Sequence, residues 1–114
     1  MSRRSHKRST ATRPKARLFA ALGDETRLLL IGRLCHGEPR SISQLTRGSR
    51  LTRQAITKHL RVLEQAGVVS SVHAGRESLF EFNPQPIEQA QEYLAYVSAE
   101  WDQALVRLKA FVER

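Results

Sequence analysis

A mainly α-helical domain carrying one small β-hairpin is predicted by three observations. Before residue 67, apolar side chains recur at spacings of three and four, in short segments that open on a capping residue and close on glycine. Between Val68 and Phe82 the period changes to two, around the short turn Ala74-Gly75-Arg76. From Ile87 onward, one unbroken apolar stripe runs almost to the end of the chain. A length of 114 residues suits one such domain.

Each element follows from its residues. The Ser, Thr, Arg and Lys of residues 1–12 offer nothing to bury, which predicts a disordered basic arm ahead of a folded domain spanning 13–114. Pro14 marks a helix start, and Ala16, Leu18, Phe19 and Leu22 lead to the stop at Gly23. Asp24 caps a second helix, with Leu28, Ile31 and Cys35 expected on its inward face and Gly37 and Pro39 after it. Ser41 caps a short third helix with Ile42 and Leu45 inward, ending near Gly48. Thr52 caps the fourth, whose apolar face is Ile56, Leu60 and Leu63 and whose stop is Gly67. Its opposite face carries Gln54, Lys58, Arg61 and Gln65, flanked by Arg53 and Thr57. A short helix, a tight connection and a helix with a basic, amide-bearing outer face make a helix-turn-helix candidate.

In the hairpin, Phe80 and Phe82 share one face, with Leu79 and Glu81 on the other. The last helix, from Ile87 to Glu113, places Ile87, Ala90, Leu94, Val97, Trp101, Ala104, Leu108 and Phe111 at alternating spacings of three and four, with Leu105 and Val112 widening the stripe. A helix of about 27 residues is about 40 Å long. Four short elements cannot cover a stripe of that length, so a second copy is expected to.

Charge narrows the function classes. Residues 1–17 hold seven basic side chains and no acid, and so supply +7 of the formal +8. Arg40 to Arg61 contains six more basic residues, again without an acid, whereas the last helix carries five acids against Arg107 and Lys109. A basic tail and a basic middle suit a polyanion, most simply nucleic acid, with a merely solubilising surface as the bland alternative. No apolar run approaches the length of a membrane span, and the basic N-terminus leads into no apolar signal core, so the cytoplasm is expected. The lone Cys35 supports neither a disulfide framework nor a CxxC zinc or redox site. No phosphate-cradling Gly loop or nucleophile motif points to an enzyme.

The order of elements is that of a winged helix-turn-helix, and three stretches are more specific. LFAALGDETRLLLIGRL, LTRQAITKHLRVLEQAGVV and AGRESLFEFNPQPI strongly resemble the ArsR family of bacterial transcriptional repressors, in register over roughly residues 16–113. The resemblance implies a homodimer on double-stranded DNA, with the 52–66 helix in the major groove, the 68–82 wing beside it, and repression relieved by an effector. It also implies an interface between terminal helices, which here offer Leu18, Phe19, Leu94, Val97, Trp101, Leu105 and Leu108. The metal-sensing members' cysteine pair has no counterpart in SISQLTRG, and the last helix has no histidine. The chain is thus similar to a branch that needs no metal or other cofactor, and any small-molecule effector is left unidentified.

The expected DNA-binding residues are Gln44, Thr52, Arg53, Gln54, Thr57, Lys58, Arg61 and Arg76. Gln54 can pair with adenine, Arg53 and Lys58 with guanine or phosphate, and Thr57 can touch a thymine methyl. Arg76, at the wing tip, can enter a minor groove or meet phosphate. Cys35 reads as a small buried hydrophobe. The four histidines share no metal-ligand spacing. The competing reading is a nonspecific nucleoid-type or RNA-associated protein, marked by flat affinity across sequences.

Overall fold

The computed structural model describes the backbone of residues 2–113 and the side chains of residues 12–113. Its elements are α1 (Ser2–Leu22), α2 (Glu25–Leu34), β1 (Arg40–Ser41), α3 (Ile42–Thr46), α4 (Arg53–Gln65), β2 (Val69–Ala74), β3 (Glu77–Phe82) and α5 (Gln85–Val112). Leu30 and Leu34 of α2, Leu45 of α3 and Ile56, Leu60 and Leu63 of α4 converge on one core with Leu18, Ala21, Val68, Val69, Phe80 and Ala90. The inward residues expected for α3, α4 and the hairpin lie in or against it.

Helix boundaries are fixed by the expected chemistry. Asp24, Ser41 and Thr52 each accept a hydrogen bond from the backbone N–H three residues on, at 3.0–3.1 Å. At the end of α4, Gly67 takes φ +79°, and the N–H groups of Val68 and Gly67 donate to the carbonyls of Leu63 and Glu64. This paired closure suits the left-handed conformation that glycine adopts without a Cβ penalty. It turns the chain directly into β2.

The hairpin pairs Val69 with Phe82 through Ala74 with Glu77, leaving Gly75 and Arg76 as a two-residue loop. Gly75 has positive φ and Arg76 does not, the pattern of a type II′ turn. β1, an element the sequence reading lacks, adds to the free edge of β3 through Arg40–Phe80 and Ser41–Leu79 pairing, giving the order β1-β3-β2.

Four further expectations are corrected. First, α1 starts at Ser2 and contains Pro14, where an arm and a helix start at Pro14 were expected. A formed helix extends through residues at one hydrogen bond each, so Pro14 removes one donor without setting the boundary. Second, α2 turns Leu30 and Leu34 inward and leaves Leu28 and Cys35 exposed, so Cys35 is not a core residue. Third, the connection between α3 and α4 spans residues 47–52, longer than the tight connection expected, with Gly48 at φ +76°. Fourth, Leu18, expected at an interface, is 4% exposed within the chain's own core.

The radius of gyration is 19.0 Å, against about 13 Å for a compact chain of about 100 residues. The long terminal helices account for the difference: residues 91–103 of α5 are all exposed.

Candidate nucleic-acid interface

Helix α4 is divided lengthwise. Ile56, Leu60 and Leu63 are essentially inaccessible, while Arg53, Gln54, Lys58 and Arg61 are exposed on the outer side. The buried leucines fix the helix's rotation about its axis and so decide which side chains face outward. Among the described residues, none of Arg53, Lys58 and Arg61 has an acidic group within 4.0 Å. These cations and the Gln54 amide are therefore free to meet an anionic or hydrogen-bonding partner.

The other expected site residues are placed differently. The Thr52 hydroxyl caps α4, and the Thr57 hydroxyl donates to the Arg53 carbonyl at 2.7 Å, which leaves the Thr57 methyl for a partner. Gln44 completes a capping box: its Oε1 accepts from the Ser41 N–H at 2.9 Å, and its amide hydrogens remain as donors. Arg76 is exposed at the tip of the hairpin, on a different element from the α4 set.

Two arginines that sequence reasoning missed hold this surface together. Arg33 of α2 donates from both terminal nitrogens to the carbonyls of Leu45 and Gln44, at 2.6 and 2.9 Å. It thereby pins α3, a helix too short to hold itself. Arg27 donates to the Ala21 and Ala20 carbonyls at 2.6 and 3.3 Å and meets His59 Nδ1 at 3.3 Å. One side chain thus joins the end of α1 to α4. The hydrogen bond from the Arg27 backbone N–H, with the Arg27 and His59 side chains nearby, holds the Asp24 carboxyl below its ordinary 3.8 against an opposing desolvation. Arg47 and Arg50, exposed in the α3–α4 connection, were present in the basic run but not singled out from it.

Among the described residues, none covers the α5 side chains expected at an interface. Leu94, Val97, Trp101, Leu105 and Leu108 are all exposed, Trp101 by 63%. Phe19 is half-buried and stacks at a tilt on Tyr93, with ring centroids 6.2 Å apart. Among the described residues, no three His, Cys, Asp or Glu side chains gather as a metal site, and no helix is long and apolar enough to cross a membrane.

Comparison with known proteins agrees with this geometry. A family described as a helix-turn-helix domain matches residues 22–72. YuzN of Bacillus subtilis, named as an uncharacterized HTH-type transcriptional regulator, is 39% identical over 80 residues, covering 65% of this chain and 87% of the relative. The structure of an ArsR-like transcriptional regulator from Rhodococcus sp. RHA1 superposes with a TM-score of 0.79 at 35% identity, over 90% of this chain and 95% of that one. A homodimeric winged helix-turn-helix DNA-binding domain from Mycobacterium bovis shares the fold at 17% identity, with a TM-score of 0.67 over 82% of this chain and 86% of its own. The chain belongs to the ArsR family of winged helix-turn-helix transcriptional regulators.

Proposed function

We propose that this regulator is a homodimeric, sequence-specific repressor that binds an inverted-repeat operator in the cytoplasm without a metal ion. The observation that carries this reading is the division of α4, which presents Arg53, Gln54, Lys58 and Arg61 outward from a helix held rigidly by its buried face. These residues supply both kinds of contact that a major-groove helix uses, bidentate or amide pairing with base edges and cationic pairing with phosphate. Arg76 then acts on the adjacent minor groove or backbone from the wing tip, and the donors of Gln44 act beside the α4 N-terminus. Thr52 contributes by fixing where α4 begins.

Dimerisation is supported by the uncovered stripe of α5, which would hold two α4 helices in one assembly. Related by a twofold axis, they enter successive major grooves about 34 Å apart, which is why the operator is an inverted repeat. The test is binding of the chelator-treated protein to the DNA upstream of its own gene, competed with excess unrelated DNA. A discrete protected site supports the proposal. Equal competition by unrelated DNA at every upstream fragment tried supports nonspecific binding instead.

A further inference from the structure

Strand β1 carries a cation that the fold leaves unused. Its two residues point to opposite faces of the sheet, so Ser41, buried toward the core, sends Arg40 to the outer side. Among the described residues, none accepts a hydrogen bond from the Arg40 guanidinium or pairs with it, and its Nε is shielded from water without an acceptor. Buried donors in folded proteins are almost always paired, so an unpaired one on a permanent cation points to an acceptor brought by a partner. Arg40 and Gln44 line one cleft of about 300 Å³, together with Pro39 and Glu38. The Gln44 side-chain oxygen is held on the Ser41 N–H at 2.9 Å, which leaves its amide hydrogens as its contribution to the cleft. The Gln44 backbone N–H is taken by the Ser41 hydroxyl at 3.1 Å, so the open donors are side-chain groups. Glu38, the carboxylate in the lining, lies more than 4.0 Å from the Arg40 nitrogens and forms no ion pair with them.

We infer that Arg40 and Gln44 together hold one phosphate of the DNA backbone, beside the groove that α4 enters. The inference rests on the DNA-binding reading above and adds Arg40 to it. In a helix-turn-helix the second helix lies in the groove while the first crosses the backbone, and this cleft stands at the start of that first helix, α3. The donor set matches: a guanidinium and an amide turned by its oxygen offer N–H groups alone, which suit a phosphodiester and cannot tell one base from another. Glu38 disfavours a second negative charge, so the cleft takes the singly charged diester of a DNA strand over a free phosphate dianion. Arg33 fixes α3 from its other side through the Leu45 and Gln44 carbonyls. A phosphate held on Arg40 and Gln44 therefore seats the whole helix pair on the duplex, adding affinity without sequence preference.

The test measures the affinity of the full chain for its upstream operator fragment and for an unrelated duplex over a fourfold range of salt. Arg40→Gln, Arg40→Lys and Lys109→Gln are compared with the parent. One phosphate contact adds about 0.9 to the slope of log affinity against log salt, so the parent is expected to lose about 3.5-fold more affinity over that range than Arg40→Gln, on both DNAs. Arg40 has no polar partner among the described residues, so Arg40→Gln is expected to keep the parent's circular dichroism. Arg40→Lys keeps the charge and is expected to keep the slope, losing only the part of the affinity that the planar fork supplies. Lys109→Gln, on the last turn of α5, is expected to keep both. The ratio of operator to unrelated affinity is expected to be equal in all four proteins. A slope in Arg40→Gln equal to the parent's overturns the contact, as does an equal fall in Lys109→Gln, which is an effect of net charge alone. A changed ratio in Arg40→Gln overturns the assignment to the backbone. A protein with no discrete operator site, whose slope on unrelated DNA still falls in Arg40→Gln, retains the contact and refutes the sequence-specific reading.

Discussion

Replacing Trp101 by alanine tests whether the outer stripe of α5 is a seam between two copies. The side chain is 63% exposed in the single chain, and a tryptophan has about 250 Å² to bury, so about 160 Å² is open. At about 25 cal/mol per Å², complete coverage is worth about 4 kcal/mol. A neighbouring helix covers one side of the ring, so about 2 kcal/mol per tryptophan is the working figure, the size of an interface hot spot. A twofold dimer contains the residue twice, for a total of about 4 kcal/mol, or about a thousandfold in the dimer dissociation constant. Sedimentation equilibrium over a dilution series measures this directly. Tyr96→Ala, on the other face, serves as control and is expected to leave the constant unchanged. A Trp101→Ala protein that dimerises as tightly as the parent, or a Tyr96→Ala protein that weakens equally, refutes the assignment of faces.

Three other outcomes are expected. Arg53, Gln54 and Lys58 replaced together by alanine abolish protection of a discrete operator site in a footprinting assay, with the dimer and the helical circular dichroism retained; protection at the parent's affinity removes α4 from the interface. Thr52→Ala, which loses the cap on Ala55 N–H, lowers unfolding free energy by about 1 kcal/mol in urea titration, and an unchanged midpoint shows that the cap adds nothing. Asp24 has a native pKa below its ordinary value, so its contribution to stability is complete above pH 3.8 and is lost as pH falls through the lower native value. Asp24→Asn should accordingly narrow the stability gap between pH 5 and pH 2.5, and identical acid-unfolding curves for the two proteins contradict the ionic role.

The parts of the fold legible in the sequence are those whose cause is local. Thr52, Ile56, Leu60 and Leu63 announce α4 because cap and periodicity agree, and Gly75 announces the hairpin because its tight turn needs positive φ between two segments of period two. β1 was not legible, since two residues become a strand only by pairing with Phe80 and Leu79 far along the chain. In α2 the run Leu28-Leu29-Leu30-Ile31 satisfies helical spacing on more than one face, so periodicity could not choose Leu30 and Leu34 over Leu28 and Cys35. Leu18 and Phe19 are adjacent apolar residues of α1, and tertiary packing alone assigns the first to the core and leaves the second half-buried against Tyr93. The charge of the α4 surface was read directly, whereas Arg33 and Arg27 support it through carbonyls that have no sequence signature.

The mounting of α5 has a mechanical consequence. The helix is held near its root by Ile87, Ala90 and the Phe19–Tyr93 contact, and beyond that it projects as a cantilever. From Ala90 to Val112 its length is about 33 Å, so a swing of about 10° at the root displaces the tip by about 6 Å. One base-pair step is about 3.4 Å. In a dimer joined along the outer stripe, the reach between the two α4 helices is therefore governed by the angle at which a few small contacts seat the base of a lever. A change at those contacts that tilts the helix by that angle moves its tip by more than one base-pair step.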